Sequence, residues 1–451
     1  MNNLELWQWV LLIGSSVLMF VFSPFTHSKF AFFKAHSDKI KTPSVFILTS
    51  SLVMSWIFSK SITNASNLGL TYGIWGGLAY ATYYLSFLTA GIIIYKIRTK
   101  GKFESIHHFL KTKFGKSAVI LFSILIGFRL FNEVWSNTMV IGFYFGKTGS
   151  VPYYLSIITF TILTLAYVLK GGLKSSLITD MIQMIFFSVL LFIVLNKIFP
   201  ASFHQNISLF SNKNWGINDA INLLFVALIQ IFSYPFHDPV LTDRAFISSP
   251  KKTLISFILA TVLGFVFIFA FSLIGVYAKT NNMVGQAAVA VSQSFGAISL
   301  LMMNFIMITS AASTLDSTFA SFSKLVVVDL GKQKYISINK GRMAMIFIAL
   351  LGILPVFINP QILSATTISG TMVIGLAPIF IFWNKKVPKQ TFNIVIGIGV
   401  FFGIIFAFGW FPKKLIFIQG NYGDLLSINI IGTVFCFLVF YILSLIRYEK
   451  G

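Results

Sequence analysis

The chain has 451 residues, of which 56% are hydrophobic and 10% charged, and Phe alone occurs 51 times. Soluble domains carry about 25% charged residues. A water-soluble fold of this size is therefore excluded, because it could not cover so much apolar surface, and the solvent must be lipid. The net charge of +22 raises nucleic acid as a partner, but the Lys and Arg residues sit in short loops between apolar runs, where membrane topology accounts for them. The single cysteine, Cys436, excludes a disulfide within the chain and reads as a buried, inert thiol.

In chain order, the predicted elements are thirteen membrane spans at residues 5–25, 43–67, 73–95, 117–145, 152–169, 173–199, 218–236, 252–278, 298–328, 341–357, 362–383, 391–411 and 427–447. Each approaches the roughly 20 helical residues needed to cross a bilayer core. Helix is the expected state, since an open strand would leave backbone groups unpaired in lipid. The first span has no basic leader and no small-residue cleavage site, so it reads as a retained helix and not as a signal peptide. The polar connections at 27–42 and 96–116 are too short to fold alone.

Two spans are interrupted. The polar run Ser59-Lys60-Ser61-Ile62-Thr63-Asn64-Ala65-Ser66-Asn67 falls inside the second. Ser233-Tyr234-Pro235-Phe236-His237-Asp238-Pro239 closes the seventh with two prolines. The two spans are five apart, the pattern of inverted-repeat transporters, in which unwound backbone lines the binding site. Ordinary helix ends with polar residues turned to a neighbour would read the same way.

Charge sets the expected topology. With the N-terminus outside, the inside segments hold 25 of the 34 Lys and Arg residues, the outside segments hold six, and three (Lys60, Arg129 and Lys324) fall within spans. That asymmetry supports an odd number of spans and a cytoplasmic C-terminus.

A charge at mid-membrane costs on the order of 2.5–3.5 kcal/mol, so Lys60, Arg129, Glu133, Asp180 and Asp316 each need a reason. Arg129 and Glu133 are one helical turn apart and can pair locally. Lys60 lies too deep to snorkel from the inner end of its span; it pairs with Glu133 or faces a cavity and an anionic ligand group. Asp180 stands near the start of its span, where a carboxylate could simply reach the cytoplasmic interface. Ser310-Ala311-Ala312-Ser313-Thr314-Leu315-Asp316-Ser317 places four hydroxyls and a carboxylate in mid-span. Hard cations take oxygen ligands, while hydroxyls bonded back to their own helix would be the bland account.

At this point the chain resembles the sodium/solute symporter family, which includes sodium-coupled proline, sialic acid and monocarboxylate transporters. Gly171-Gly172-Leu173-Lys174 through Thr179-Asp180-Met181-Ile182-Gln183 is similar to the family's GG-L-K…T-D-x-x-Q helix start. Ser310 to Ser317 resembles its A-x-x-S-T-x-D-S segment, and Pro239 to Arg244 its P-x-x-x-x-R loop. Gly375 to Pro378, with Trp383 and Lys385, is similar to its G-x-x-x-P…W-x-K helix. The resemblance implies an all-α polytopic membrane protein with a leucine-transporter-like core of two inverted five-helix repeats, 43–199 and 218–383. One extra helix (1–26) would precede the core and two (391–447) would follow, all in a single transporter domain. It implies a coupling Na⁺ held by the hydroxyls of Ser313 and Thr314, the carbonyls of Ser310, Met54 and Ile57, and Asp180. The solute would sit near Lys60, Ser61, Glu133 and Tyr234. A lysine at position 60 departs from the family pattern and could bind a substrate carboxylate or replace the cation.

The expected function is sodium-coupled symport of a small organic solute, an amino acid or carboxylate, across the inner (plasma) membrane of a bacterium. The partners implied are that solute and the lipid bilayer, with no nucleic acid and no obligatory protein partner. A sodium-independent or proton-coupled transporter and a transporter-like sensor are the alternatives. A sensor would be expected to bear a signalling domain, and the chain closes a few residues past its last span. An enzyme is not expected, because His107-His108 and His237-Asp238 read as loop residues. No Gly-rich phosphate loop marks ATP-driven transport.

Overall fold

The computed structural model describes residues 3–35, 42–204, 215–331 and 333–446. Lys39, Lys41, Lys213, Lys332, Arg447 and Lys450, all counted in the charge asymmetry, lie outside the described residues. Every regular element among the described residues is helical: α1 (Asn3–Phe22), α2 (Lys29–Lys34), α3 (Val45–Trp56), α4 (Ser59–Ala81), α5 (Ser86–Thr99), α6 (Ile106–Phe114), α7 (Lys116–Phe145), α8 (Val151–Gly171), α9 (Leu173–His204), α10 (Ile217–Gln230), α11 (Pro239–Arg244), α12 (Pro250–Thr280), α13 (Ala287–Ser294), α14 (Ala297–Lys324), α15 (Ile338–Gly352), α16 (Ser364–Met372), α17 (Leu376–Ile381), α18 (Thr391–Ala407) and α19 (Gly423–Leu445). Nine helical segments are long and apolar enough to cross a membrane, and α3, α10 and α18 are shorter apolar helices.

The interruptions are real but not all where the polar residues suggest. The second expected span breaks at Ile57 (φ −77°, ψ 69°) and Phe58 (φ −60°, ψ 145°). The polar run Ser59–Asn67 is itself helical. Its hydroxyls are absorbed within the structure: Thr63 Oγ1 donates to the Ser59 carbonyl at 3.0 Å, a local bond that lets a polar residue stay in a helix. A second change of direction falls inside α4 at Gly73 (φ 62°), a left-handed conformation that glycine adopts without steric cost. In the seventh expected span α10 ends at Gln230, and the chain passes through a 3₁₀ turn at Tyr234–His237 into α11. Pro235 and Pro239 lack the amide hydrogens that a continuous helix would use.

Small residues set the closest helix contact. A Cβ added at Gly275 of α12 would stand 1.7 Å from the Ser66 carbonyl oxygen of α4, and one at Gly69 would stand 2.2 Å from that of Ser272. Without side chains there, two backbones approach as membrane helices do. α14 packs against α3, α7, α8 and α9, which brings its Ser310–Ser317 stretch to the break after α3. Large apolar side chains such as Val21, Ile124, Phe192 and Val262 face outward, while the charged Lys60, Arg129, Glu133, Asp180, Arg244 and Asp316 lie inside. That is the reverse of a soluble fold and what lipid as solvent requires. Cys436 is buried, its thiol 3.7 Å from the Val395 carbonyl.

Candidate functional site

Where α3 stops, its last carbonyls have no following turn of helix to bond. The Trp56 carbonyl accepts the Tyr84 hydroxyl at 2.6 Å, and the Ile57 carbonyl accepts the Ser310 hydroxyl from α14. One turn along α14, Thr314 Oγ1 donates to the Ser310 carbonyl at 3.0 Å. Beside it, the Ser313 hydroxyl donates to Asp180 of α9. Met54 lies in the last turn of α3, fully buried. Thr314 therefore shows the local back-bond that membrane helices favour, whereas Ser310 and Ser313 reach out to other helices.

Asp180 does not reach the membrane interface. It is fully buried, accepts the Ser51 hydroxyl and lies 3.0 Å from Arg244 Nη2. Arg244 also donates to Ser176 (3.1 Å), Ser317 (2.7 Å) and Ser51 (2.5 Å). Sequence alone counts Arg244 among the basic loop residues; the short α11 turns it inward instead, capped by Asp238, whose carboxylate accepts the Val240 amide at 2.9 Å. Next to this pair, Asp316 accepts hydroxyls from Tyr167 (2.9 Å), Thr179 (2.8 Å) and Ser317 (3.2 Å). It has no basic partner among the described residues. Two fully buried carboxylates thus stand with a single guanidinium among the described residues, which is bonded to Asp180, while Asp316 is held by hydroxyls.

A second cluster joins the two breaks. Lys60 Nζ lies 2.7 Å from Glu133, and Arg129 bridges Glu133 (3.0 Å) and Asp238 (2.8 Å). Trp56 Nε1, just before the first break, donates to Asp238 in the second at 2.7 Å. His237 lies in the 3₁₀ turn and Asp238 in the connection to α11; neither is a surface loop residue, for both are buried where the unwound segment runs through the protein interior. The two cations and two carboxylates balance. Beside them is a small cavity lined by the rings of Trp56, Phe58, Tyr80, Tyr83, Tyr84 and Tyr234 together with Ser61 and Thr366. Ser61 and Tyr234, both expected at the solute site, line it. Lys60 and Glu133 do not, being joined to each other; Lys60 lies 4.8 Å from the centroid of the Phe58 ring and Arg129 4.6 Å from that of Tyr234.

Two broken helices crossing at mid-protein, with α14 laid against one break, identify the architecture. The fold is that of known cation symporters. The chain aligns with a substrate-bound, outward-open Na⁺-coupled sialic acid symporter at a TM-score of 0.72, with 15% identity over 99% of this chain and 98% of the other. MHP1, a nucleobase-cation-symport-1 family transporter in a closed conformation with bromovinylhydantoin bound, aligns at 0.52 with 11% identity over 90% and 96% of the two chains. MhsT in complex with L-phenylalanine aligns at 0.54 with 14% identity over 90% and 100%. No family model matches the sequence, and no curated protein matches it. At these identities the likeness is one of fold.

Several members of the two clusters carry no signal of their own in the sequence. Ser51, Ser176 and Tyr167 are unremarkable polar residues in apolar helices until Asp180, Asp316 and Arg244 gather them. Asp238 is disguised by neighbouring prolines and loop-like polarity, and Arg244, though it closes the P-x-x-x-x-R resemblance, reads as a basic loop residue. The available sign for Asp238 is that a span losing hydrophobicity early still contains an ionisable residue that needs a partner.

Proposed function

We propose that the chain is a secondary transporter that couples Na⁺ to the movement of a small organic solute by alternating access. Its core would be two inverted five-helix repeats at 43–199 and 218–383 within thirteen spans, with one helix before and two after. The breaks at Ile57–Phe58 and at 231–238 fall in corresponding spans of the two halves and touch through Trp56 and Asp238, which is what such repeats require.

The observation that carries this reading is the buried carboxylate of Asp316. An ionised buried carboxylate without a cation is costly, and Asp316 has no basic partner among the described residues, Arg244 being bonded to Asp180. The cation would sit at the carbonyls of Met54, Ile57 and Ser310 and the hydroxyls of Ser313 and Thr314, a position that Ser313 joins to this cluster through its hydrogen bond to Asp180. An all-oxygen set of this kind suits a hard monovalent cation. The solute would lie against Ser61 and Tyr234. Lys60 and Glu133 would open to it: an amino acid could exchange their mutual pair for one between its carboxylate and Lys60 and one between its ammonium and Glu133, keeping the interior neutral.

The same carboxylate favours one second reading, in which a proton on Asp316 takes the place of Na⁺. Thermal melting separates the two. NaCl is expected to raise the melting temperature above that in KCl or choline chloride of equal ionic strength, since a ligand of the folded state stabilises it by mass action. The Ser313→Ala/Thr314→Ala variant should fold and lose that difference, and Asp316→Asn should weaken it. Equal melting in all three salts, with stability that responds to pH instead, would transfer the coupling to protons.

A further inference from the structure

Basic residues converge on one other concave place, away from both clusters. Lys29 and Lys34 of α2, Lys111 of α6 and Lys116 at the start of α7 rim a cleft of about 960 Å³. All four are exposed. They come from two separate connections that the charge pattern puts on the cytoplasmic side. Among the described residues the one carboxylate in the wall, Asp329, is already engaged by Lys324 at 3.4 Å and lies 3.8 Å from His107. Ammonium groups gathered around one cleft make it a place that attracts an anion.

Among the described residues the remainder of the wall is apolar, with Phe30, Ile120 and Leu330 about half exposed. At Gly331 the cleft adjoins a second groove of about 500 Å³, lined by Phe322, Val326, Met343 and Phe347. Met343 and Phe347 expose 69% and 58% of their surface. A soluble anion would use only the lysine rim and leave this apolar run uncovered. A phospholipid matches both parts, with phosphate at the rim and an acyl chain beyond it, and basic pockets between helices on the cytoplasmic side bind such headgroups.

We propose that this cleft binds an anionic phospholipid, with its phosphate between Lys29, Lys34, Lys111 and Lys116 and an acyl chain in the groove past Gly331. The site is independent of the identity of the transported solute and of the coupling ion. It ties α2 and the α6–α7 corner to the end of α14, the helix that carries Ser310–Ser317.

The test uses the full chain purified in neutral detergent. Phosphatidylglycerol, phosphatidylcholine of the same acyl chains, and sn-glycerol 3-phosphate are added separately. Retained lipid is counted by native mass spectrometry, and melting is followed in parallel. Phosphatidylglycerol should be retained and raise the melting temperature, with phosphatidylcholine and glycerol phosphate having little effect. In Lys29→Gln/Lys111→Gln/Lys116→Gln the lipid-free melting temperature should stay as it is, while phosphatidylglycerol binding falls roughly fivefold per lysine removed. Should that variant melt lower even without lipid, Lys29→Arg/Lys111→Arg/Lys116→Arg keeps the charge and must retain phosphatidylglycerol. Equal retention of phosphatidylcholine, unchanged lipid binding in the Gln variant, or its loss in the Arg variant would overturn the proposal. An equal shift with glycerol phosphate would make the cleft a soluble-anion site and overturn it as well.

Discussion

Lys60, Arg129, Glu133 and Asp238 meet with at most 3% of any side chain exposed, so each charge is stabilised only by the others. Removing one partner of a buried pair costs about 3–5 kcal/mol, because the survivor stays buried and unmatched, whereas removing both can be nearly neutral. Lys60→Met should therefore lower the melting temperature sharply, since Arg129 must then serve Glu133 and Asp238 alone. Lys60→Met/Glu133→Gln leaves the Arg129–Asp238 pair balanced and should recover most of the loss. If Lys60→Met melted like the parent chain, the pair would carry no structural weight and Lys60 would serve the solute alone. Part of this cluster is legible in the sequence. Arg129 and Glu133 are one turn apart on α7, and the depth of Lys60 demands an acidic partner. Asp238 and Arg244 are not legible as partners, because their mates Arg129 and Asp180 lie 109 and 64 residues away and no periodicity spans such distances.

At the scale of helices, apolar runs of about 20 residues locate the long apolar helices, because lipid permits few alternatives to them, but not the short α2, α6, α11 and α13 in the connections. Breaks are harder to read. Ser59–Asn67 looks like an interruption because it is polar, yet the chain leaves helical geometry earlier, at Ile57 and Phe58, where the residues are apolar. What marks a break is the set of outside partners for freed backbone groups, here Tyr84 and Ser310, and those come from other helices. The α4–α12 contact depends on side chains that are missing. Gly275→Ala would place a methyl carbon 1.7 Å from the Ser66 carbonyl oxygen, forcing the backbones apart at a cost of about 1–3 kcal/mol or more. A clear drop in melting temperature is expected. Gly14→Ala on α1, whose added Cβ would meet nothing within 4 Å, should show no loss. Equal behaviour of the two variants would mean that α4 and α12 can separate without penalty.

Over the whole molecule, orientation decides how the parts relate to the two compartments. The excess of Lys and Arg in alternate connections predicts an outside N-terminus, and with it a cytoplasmic position for the basic cleft of α2, α6 and α7. The chain offers a clean way to check this. Its single thiol, Cys436, is fully buried, so an impermeant maleimide applied to intact cells should meet little background. Lys413, before α19, and Lys386, before α18, are both exposed and are separated by the one span that contains α18. Lys413→Cys is expected to label from outside, and Lys386→Cys only after the membrane is permeabilised. Reversed labelling would turn the whole molecule over and move the lysine cleft to the outer leaflet, where the cytoplasmic anionic surface potential is absent. Labelling of both, or of neither, in intact cells would mean that α18, a helix of only 17 residues, does not cross. The odd span count would then fail, whereas the clusters around Asp180 and Glu133, which involve no residue after Arg244 except those on α14, would keep their geometry.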